Sequence, residues 1–208
     1  MDDRGRRALE FVLLVGAMSL FADFVYEGAR SVAGPFLALL GASGLVVGSA
    51  SGLGELAGYG LRLVSGPLAD RTRAYWPVTI VGYIVQMAAV PALALAGSWE
   101  AAAGLLVLER VGKAIRNPPR DVMLSHAGSE MGGHGWAFGL HEALDQTGAV
   151  LGPLTIAGVL LWRHDYRLAF AMLALPAACT LLVLGVARVR YPHTEEFEPR
   201  SPAHLEAS

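Results

Sequence analysis

Residues 108–121 read LERVGKAIRNPPRD, with Arg110, Lys113, Arg116 and Arg120 at intervals of three, three and four residues. On a helix that spacing lays all four cations along one stripe. The residues leading into it, 99–108, are nearly all small or apolar and continue into it without a break, so the stripe enters a membrane instead of covering a solvated face. A cation in the hydrocarbon core costs about 2.5–3.5 kcal/mol on the insertion scale. A stripe of them therefore requires carboxylate partners, a water-filled cavity or both.

Composition agrees with a membrane setting. Of 208 residues, 54% are hydrophobic and only 16% charged, where a soluble domain carries about 25% charged residues. The predicted class is an all-α membrane protein. The single cysteine, Cys179, rules out a disulfide framework and reads as a small core or lipid-facing residue. The formal net charge of −2 identifies no partner. The N-terminal MDDRGRR followed by an apolar run imitates a secretory signal, but apolar character resumes after Asp23 and favours an uncleaved first span.

A bilayer core takes about 20 helical residues. Measured against that length the apolar stretches form six spans, approximately 8–34, 43–68, 74–97, 101–125, 136–162 and 168–189. The breaks fall at Gly34-Pro35, the turn from Asp70 to Arg73, Gly97-Ser98, the glycine-rich stretch 128–135, and Arg163 to Asp165. These short connections make neighbouring spans alternate in direction and leave no room for a separate soluble domain. With the N-terminus inside, seven loop arginines (Arg4, Arg6, Arg7, Arg71, Arg73, Arg188 and Arg190) lie on the cytoplasmic side against two (Arg163 and Arg167) outside. Both termini are therefore expected in the cytoplasm of a multi-pass inner-membrane protein. Residues 1–190 form the bundle, and the polar, proline-containing stretch 191–208 reads as a disordered tail.

A shift of 86 residues places Asp23 on Glu109, Glu27 on Lys113, Arg30 on Arg116 and Glu55 on His141. It also lays Gly66-Pro67-Leu68 on Gly152-Pro153-Leu154. The bundle is thus expected to be two inverted three-helix repeats, approximately 8–97 and 99–189.

Within the spans lie six carboxylates (Asp23, Glu27, Glu55, Glu109, Glu142 and Asp145) and five cations (Arg30, Arg62, Arg110, Lys113 and Arg116). Facing lipid they would cost on the order of 30 kcal/mol, so they must face one another. Asp23, Glu27 and Arg30 share a face of the first span, and His141 and Asp145 share a face of the fifth with Glu142 beside it. The first, fourth and fifth spans are therefore expected to converge on a central pathway, with Glu55 and Arg62 near its edge. A carboxylate in a low-dielectric site can load or release a proton near neutral pH, which makes Asp23, Glu27 and Asp145 candidate proton carriers. Arg62 reads as a snorkelling side chain, and Glu109 with Arg110 also suits a structural lock between helices.

Residues 65–76 read SGPLADRTRAYW, in which Gly66 and Pro67 are expected to end the second span and Asp70 to cap a helix. This stretch resembles the loop signature of the major facilitator superfamily, approximately G-x-L-A-D-R-x-G-R-[KR]. Gly66, Leu68, Ala69, Asp70 and Arg71 match, while Arg73 and Ala74 replace the second glycine and an arginine. Residues 108–112 resemble the family's fourth-helix R-x-x-x-G region, with Arg110 as the arginine linked to proton coupling and Ala114 in place of the glycine. Gly148, Gly152 and Pro153 resemble the G-x-x-x-G-P element of the fifth helix, associated in that family with antiporters, and form a helix-packing motif in which the small residues allow close helix approach and the proline bends the span. RVGKAIRNPPRD followed by FGLHEALDQTGAVLGP is similar to a prokaryotic group of proposed efflux members.

The resemblance covers residues 11–190 and implies one six-helix half of a twelve-span architecture. It implies proton-coupled export of a small molecule, not enzymatic activity. The expected pathway comprises Asp23, Glu27, Arg30, Glu109, Arg110, Lys113, His141, Glu142 and Asp145. A cytoplasmic gate is expected from Gly66, Asp70, Arg71, Arg73, Arg116, Arg120 and Asp121. The expected partners are lipid, a small-molecule substrate, protons and a second half or second copy, docked through the glycines of the second and fifth spans; no nucleic acid, cofactor or metal is expected. A non-transporting assembly or regulatory subunit, or a truncated remnant, is the alternative. An intramembrane hydrolase built on Ser43 and His141, or a metal site from His126, His134 and His141, fits the spacing poorly.

Overall fold

In hydrocarbon every backbone N–H and C=O must find its partner within its own segment, which leaves helices for a chain this apolar. The computed structural model describes residues 3–131, 133–193 and 197. They form α1 (Asp3–Leu39), α2 (Gly44–Thr72), α3 (Tyr75–Ala92), α4 (Trp99–Glu130), α5 (His134–Arg163), α6 (Tyr166–Met172) and α7 (Ala174–Arg190). A 3-10 turn, Leu93–Leu95, extends α3, and the single residue Leu173 separates α6 from α7. The result is six rods, compatible with six spans. Four of them, Asp3–Leu39, Tyr75–Leu95, His134–Arg163 and Tyr166–Arg190, are long and apolar enough to cross a membrane by length and composition. The other two are the glycine-rich α2 and the charged α4.

Local chemistry sets the ends. Ser43 and Ser98 cap α2 and α4 by accepting from the amides of Val46 and Ala101, and Asp165 accepts from Arg167 N and Leu168 N at the start of α6. Arg73 (φ 51°) and His164 (φ 53°) stop α2 and α5 in the left-handed region. Two expected breaks are not breaks, and a proline pair in the fourth span does not interrupt its helix either. α1 runs through Gly34-Pro35, α2 through Gly66-Pro67 and α4 through Asn117-Pro118-Pro119. In a bilayer no water competes for the helical bonds, and neighbouring helices compensate the amide a proline removes.

α1 packs along much of α5 and also against α7, while α4 packs on α3 and α2. The first helix of each triplet is therefore embraced by the second and third of the other. Close approach needs glycine. A Cβ on Gly148 would collide with the Leu20 carbonyl, and one on Gly152 with that of Phe24. Gly28 lies against Gly152, and on the other side Ser65 Oγ donates to Ala114 O at 2.9 Å beside Gly66. The 86-residue shift carries Gly28 to Ala114 and Gly66 to Gly152, so the two contacts answer each other.

This packing also corrects an expectation, because Gly148 and Gly152 are consumed inside the bundle and leave no flat surface for a second bundle. Gly44, Gly48, Gly52 and Gly58 of α2 do face open space. So do Leu45, Leu63, Leu95, Leu161 and Val189, an apolar exterior that suits lipid.

At the end of the bundle that carries the N-terminus, Phe11 packs on Trp76, Tyr191 and Phe197, and Trp76 Nε1 donates to Tyr191 O at 2.9 Å. Tyr191 and Phe197, from the stretch expected to be a tail, are both buried there. Residues 194–196 and 198–208 lie outside the described residues.

Candidate functional site

The cationic stripe of α4 faces inward, and its deepest member is Arg116, with no solvent exposure at all. Its partners come from two other helices. Arg116 Nε donates to Gln86 Oε1 at 2.5 Å, NH1 to Tyr83 Oη at 2.8 Å, and NH2 reaches Asp23 Oδ1 at 3.5 Å. The guanidinium also lies over the Tyr83 ring, 4.4 Å from its centre. Gln86 uses its amide nitrogen on Glu109 Oε1 at 3.0 Å, so one amide links a buried carboxylate to a buried cation. Each charge in this chain has a hydrogen-bonded neighbour, the condition under which burying charge is tolerable.

Asp23 on α1 is the junction. Its Oδ1 also accepts from Lys113 Nζ at 3.3 Å, and that ammonium sits 3.5 Å above the centre of the Tyr26 ring. From α5 the Asp145 carboxyl faces that of Asp23, and Asp145 Oδ1 is buried with no hydrogen-bond partner among the described residues. A second chain runs toward the N-terminal end. Arg120 NH1 donates to Ser19 Oγ at 3.2 Å, Ser19 Oγ lies 2.9 Å from His141 Nε2, and Arg120 also binds Asp121 Oδ1 at 2.7 Å.

Asp23, Glu109, Lys113, Arg116, Arg120, His141 and Asp145 thus meet between α1, α3, α4 and α5. Arg116 and Arg120 had been expected at a gate beside Asp70, but the unbroken α4 carries both into the cluster, and Asp121 follows Arg120. Asp70, Arg71 and Arg73 are exposed at the end of α2, and Gly66 lies against Pro118. Arg110 stands at the edge, with NH1 donating to Ser51 O at 2.6 Å and 3.2 Å from Glu55. Glu27 and Arg30 pair with each other at 3.4 Å on the same side. Glu142 points away, exposed, and accepts from Gln146 on its own helix. Pro153 lies inside α5. The histidines are dispersed: His126 is edge-on to Tyr75, His134 is exposed and His141 is at Ser19.

Gln86, Tyr83, Ser19 and Tyr26 belong to the site but were not predicted. Gln86 had a signal, as the one amide side chain within the apolar α3. The hydroxyls of Ser19 and the tyrosines carry none, because such residues are common in any span.

The model of the major facilitator superfamily matches residues 15–207. The chain belongs to that superfamily. Within it, the chain is similar to an uncharacterized protein of Mycobacterium tuberculosis, 51% identical over 192 residues that cover 92% of this chain and 47% of that one. It is also similar to the multidrug resistance protein MdtH of Aeromonas hydrophila, 27% identical over 186 residues, covering 88% of this chain and 46% of that one. Among solved structures, a mutant form of the peptide transporter POT in complex with sulfate superposes with a TM-score of 0.77 at 19% identity, covering 99% of this chain and 46% of that one. At that identity the likeness shows the facilitator fold. The chain spans about half the length of the curated relatives it matches.

Proposed function

We propose that this facilitator bundle is one half of a secondary active transporter that exports a small molecule in exchange for protons, and that it works with a second six-helix half. The observation that carries the reading is the pair of facing carboxyls, Asp23 and Asp145, beside Lys113 and Arg116 at the meeting of α1, α4 and α5. Membrane helices pack more cheaply with apolar residues, so an intramembrane carboxylate pair argues for ion traffic.

The mechanism follows from who holds whom. A proton taken by Asp145 leaves Lys113 and Arg116 tied to Asp23. A proton taken by Asp23 removes the charge that ties α4 to α1, and the two cations must find another partner, which biases the packing between triplets. Alternating access needs a second wall opposite this bundle, and the half-length match to MdtH supports one. The name of that relative, a multidrug resistance protein, supports a small-molecule cargo. The exposed Asp70, Arg71 and Arg73, with Gly66, form the contact to that second half at the cytoplasmic end. Both termini lie in the cytoplasm of the inner membrane, and 8–97 and 99–189 act as the two repeats.

The test uses proteoliposomes that hold the complete assembly and trap the pH dye pyranine. A low-molecular-mass fraction of cell extract is added outside. Extract-dependent proton movement is expected with the native chain and not with Asp23→Asn or Asp145→Asn, while size-exclusion profiles stay unchanged. Undiminished proton movement in both variants removes them as carriers.

A further inference from the structure

At the end of the bundle that carries the N-terminus, Arg4 pairs with Glu130, Arg6 with Asp3 and Arg190 with Glu10. Arg73, in the turn after α2, and Arg188, near the end of α7, have no carboxylate within 4 Å among the described residues. Arg188 NH1 donates to Pro192 O at 2.7 Å, and its guanidinium lies 5.9 Å from the centre of the Trp76 ring. Between the two arginines is a hollow of about 220 Å³, lined by Arg73, Tyr75, Trp76, Pro77, Arg188 and His193. No carboxylate lines it among the described residues.

At Pro77 the hollow meets a second space of opposite character. This is a trough of about 370 Å³ between α2, α3 and α4, lined by Leu61, Val64, Leu68, Pro77, Val81 and Ile115, among others. Ser65 is polar but spends its hydroxyl on Ala114 O, so the trough wall offers nothing for a polar ligand to bind. Val64, Leu68 and Val81 are exposed along it. Two of the helices long and apolar enough to cross a membrane, Tyr75–Leu95 and Tyr166–Arg190, have an end at the hollow. The cationic space therefore sits where apolar chain gives way to polar chain, and the trough runs beside the apolar part. Tyr75 and Trp76 are the aromatic residues such a boundary favours.

We infer that the two spaces together form a binding site for an anionic phospholipid, with the phosphate on Arg73 and Arg188 and an acyl chain in the trough. Guanidinium donors match phosphate oxygens in pairs, and His193 adds a ring nitrogen. A zwitterionic headgroup is disfavoured, because its own cation would join two arginines that already lack a counter-charge. Basic pockets between membrane helices select anionic headgroups on the same physical ground. Arg73 and Arg188 belong to different triplets, so a headgroup held by both ties the turn after α2 to the end of α7. Arg73 then stands at the rim of the contact proposed for the second half, with the lipid on its α7 side.

Native mass spectrometry tests this without any ion gradient, so its outcome is independent of whether Asp23 and Asp145 carry protons. The complete assembly in detergent is titrated with dioleoyl phosphatidylglycerol, dioleoyl phosphatidylcholine or inorganic phosphate, and bound ligand is counted. Phosphatidylglycerol is expected to bind about tenfold more tightly than phosphatidylcholine, the discrimination of one charge-assisted hydrogen bond. Inorganic phosphate, which leaves the trough empty, should bind more weakly than phosphatidylglycerol. Arg73→Gln combined with Arg188→Gln should remove the preference between the lipids, whereas Arg73→Lys should retain it. Arg6→Gln, which takes a charge from the same end but outside the hollow, should leave it unchanged. Val81→Trp, which fills the trough and spares both arginines, should weaken phosphatidylglycerol binding. Equal binding of the two lipids, a preference that survives the double Gln variant or falls as far in Arg6→Gln, phosphate binding as tight as the lipid, or binding indifferent to Val81→Trp overturns the inference.

Discussion

Lys113 Nζ on α4 and Asp23 Oδ1 on α1 stand 3.3 Å apart in a place where both side chains are largely withdrawn from solvent. Because Arg116 also leans on the same oxygen, Asp23 ties two cations of one triplet to the first helix of the other. Removing it should be more damaging than removing a surface charge. Asp23→Ala is expected to cost about 3–5 kcal/mol, since it leaves two buried cations short of a partner. A double-mutant cycle of Asp23→Asn with Lys113→Met, read by thermal unfolding in detergent, should return a coupling energy within about 0.5–3 kcal/mol. Additive losses would mean the pair does not interact.

Gln86 is a neutral residue doing the work of a bridge between Glu109 and Arg116. Gln86→Leu keeps the volume and strands one donor and one acceptor, each costing about 1–3 kcal/mol or more because both partners are charged. The melting temperature should fall by more than for Gln146→Leu, whose amide binds the exposed Glu142. Equal shifts would contradict the bridge.

Much of this site was legible in the sequence, because charge inside an apolar stretch has few places to go. Asp23, Lys113 and Asp145 were placed on the right helices by spacing alone, and the order of the three motifs indicated the fold. Arg116 and Arg120 lie deeper in the bundle than the sequence suggested. Asn117-Pro118-Pro119 reads as a break by rules learned in water, whereas α4 continues through it and carries both cations inward. Gly148 and Gly152 read as residues for close helix approach, but the helix they serve was hidden, because a small-residue stripe looks the same whether its neighbour is α1 of the same bundle or another subunit. Ser19 and Tyr83 could not be found without knowing which helices meet.

The glycines separate into two classes with opposite responses. Gly148→Leu and Gly152→Leu should drive α5 off α1 and abolish a monodisperse protein in detergent, because the obstruction is backbone of Leu20 and Phe24. Gly48→Leu on the open face of α2 should leave the elution profile and melting temperature unchanged or slightly raised. Tolerance at Gly148 would contradict the α1–α5 contact.

At the N-terminal end, Trp76→Phe removes the indole donor to Tyr191 O while keeping an aromatic ring. A loss of about 1 kcal/mol is expected, together with faster amide exchange after Arg190. Unchanged exchange would show that this bond does not hold the chain at that point.

On the proposed mechanism, Asp23 couples proton movement to the packing of α1 on α4. Its most direct measurement compares, in proteoliposomes of the complete assembly, pH-driven accumulation with gradient-free exchange of whichever extract component moves the pyranine signal. Asp23→Asn is predicted to lose accumulation against its gradient and to retain exchange, while Asp23→Glu retains both. Accumulation by Asp23→Asn equal to that of the native chain would show that Asp23 does not couple protons to transport.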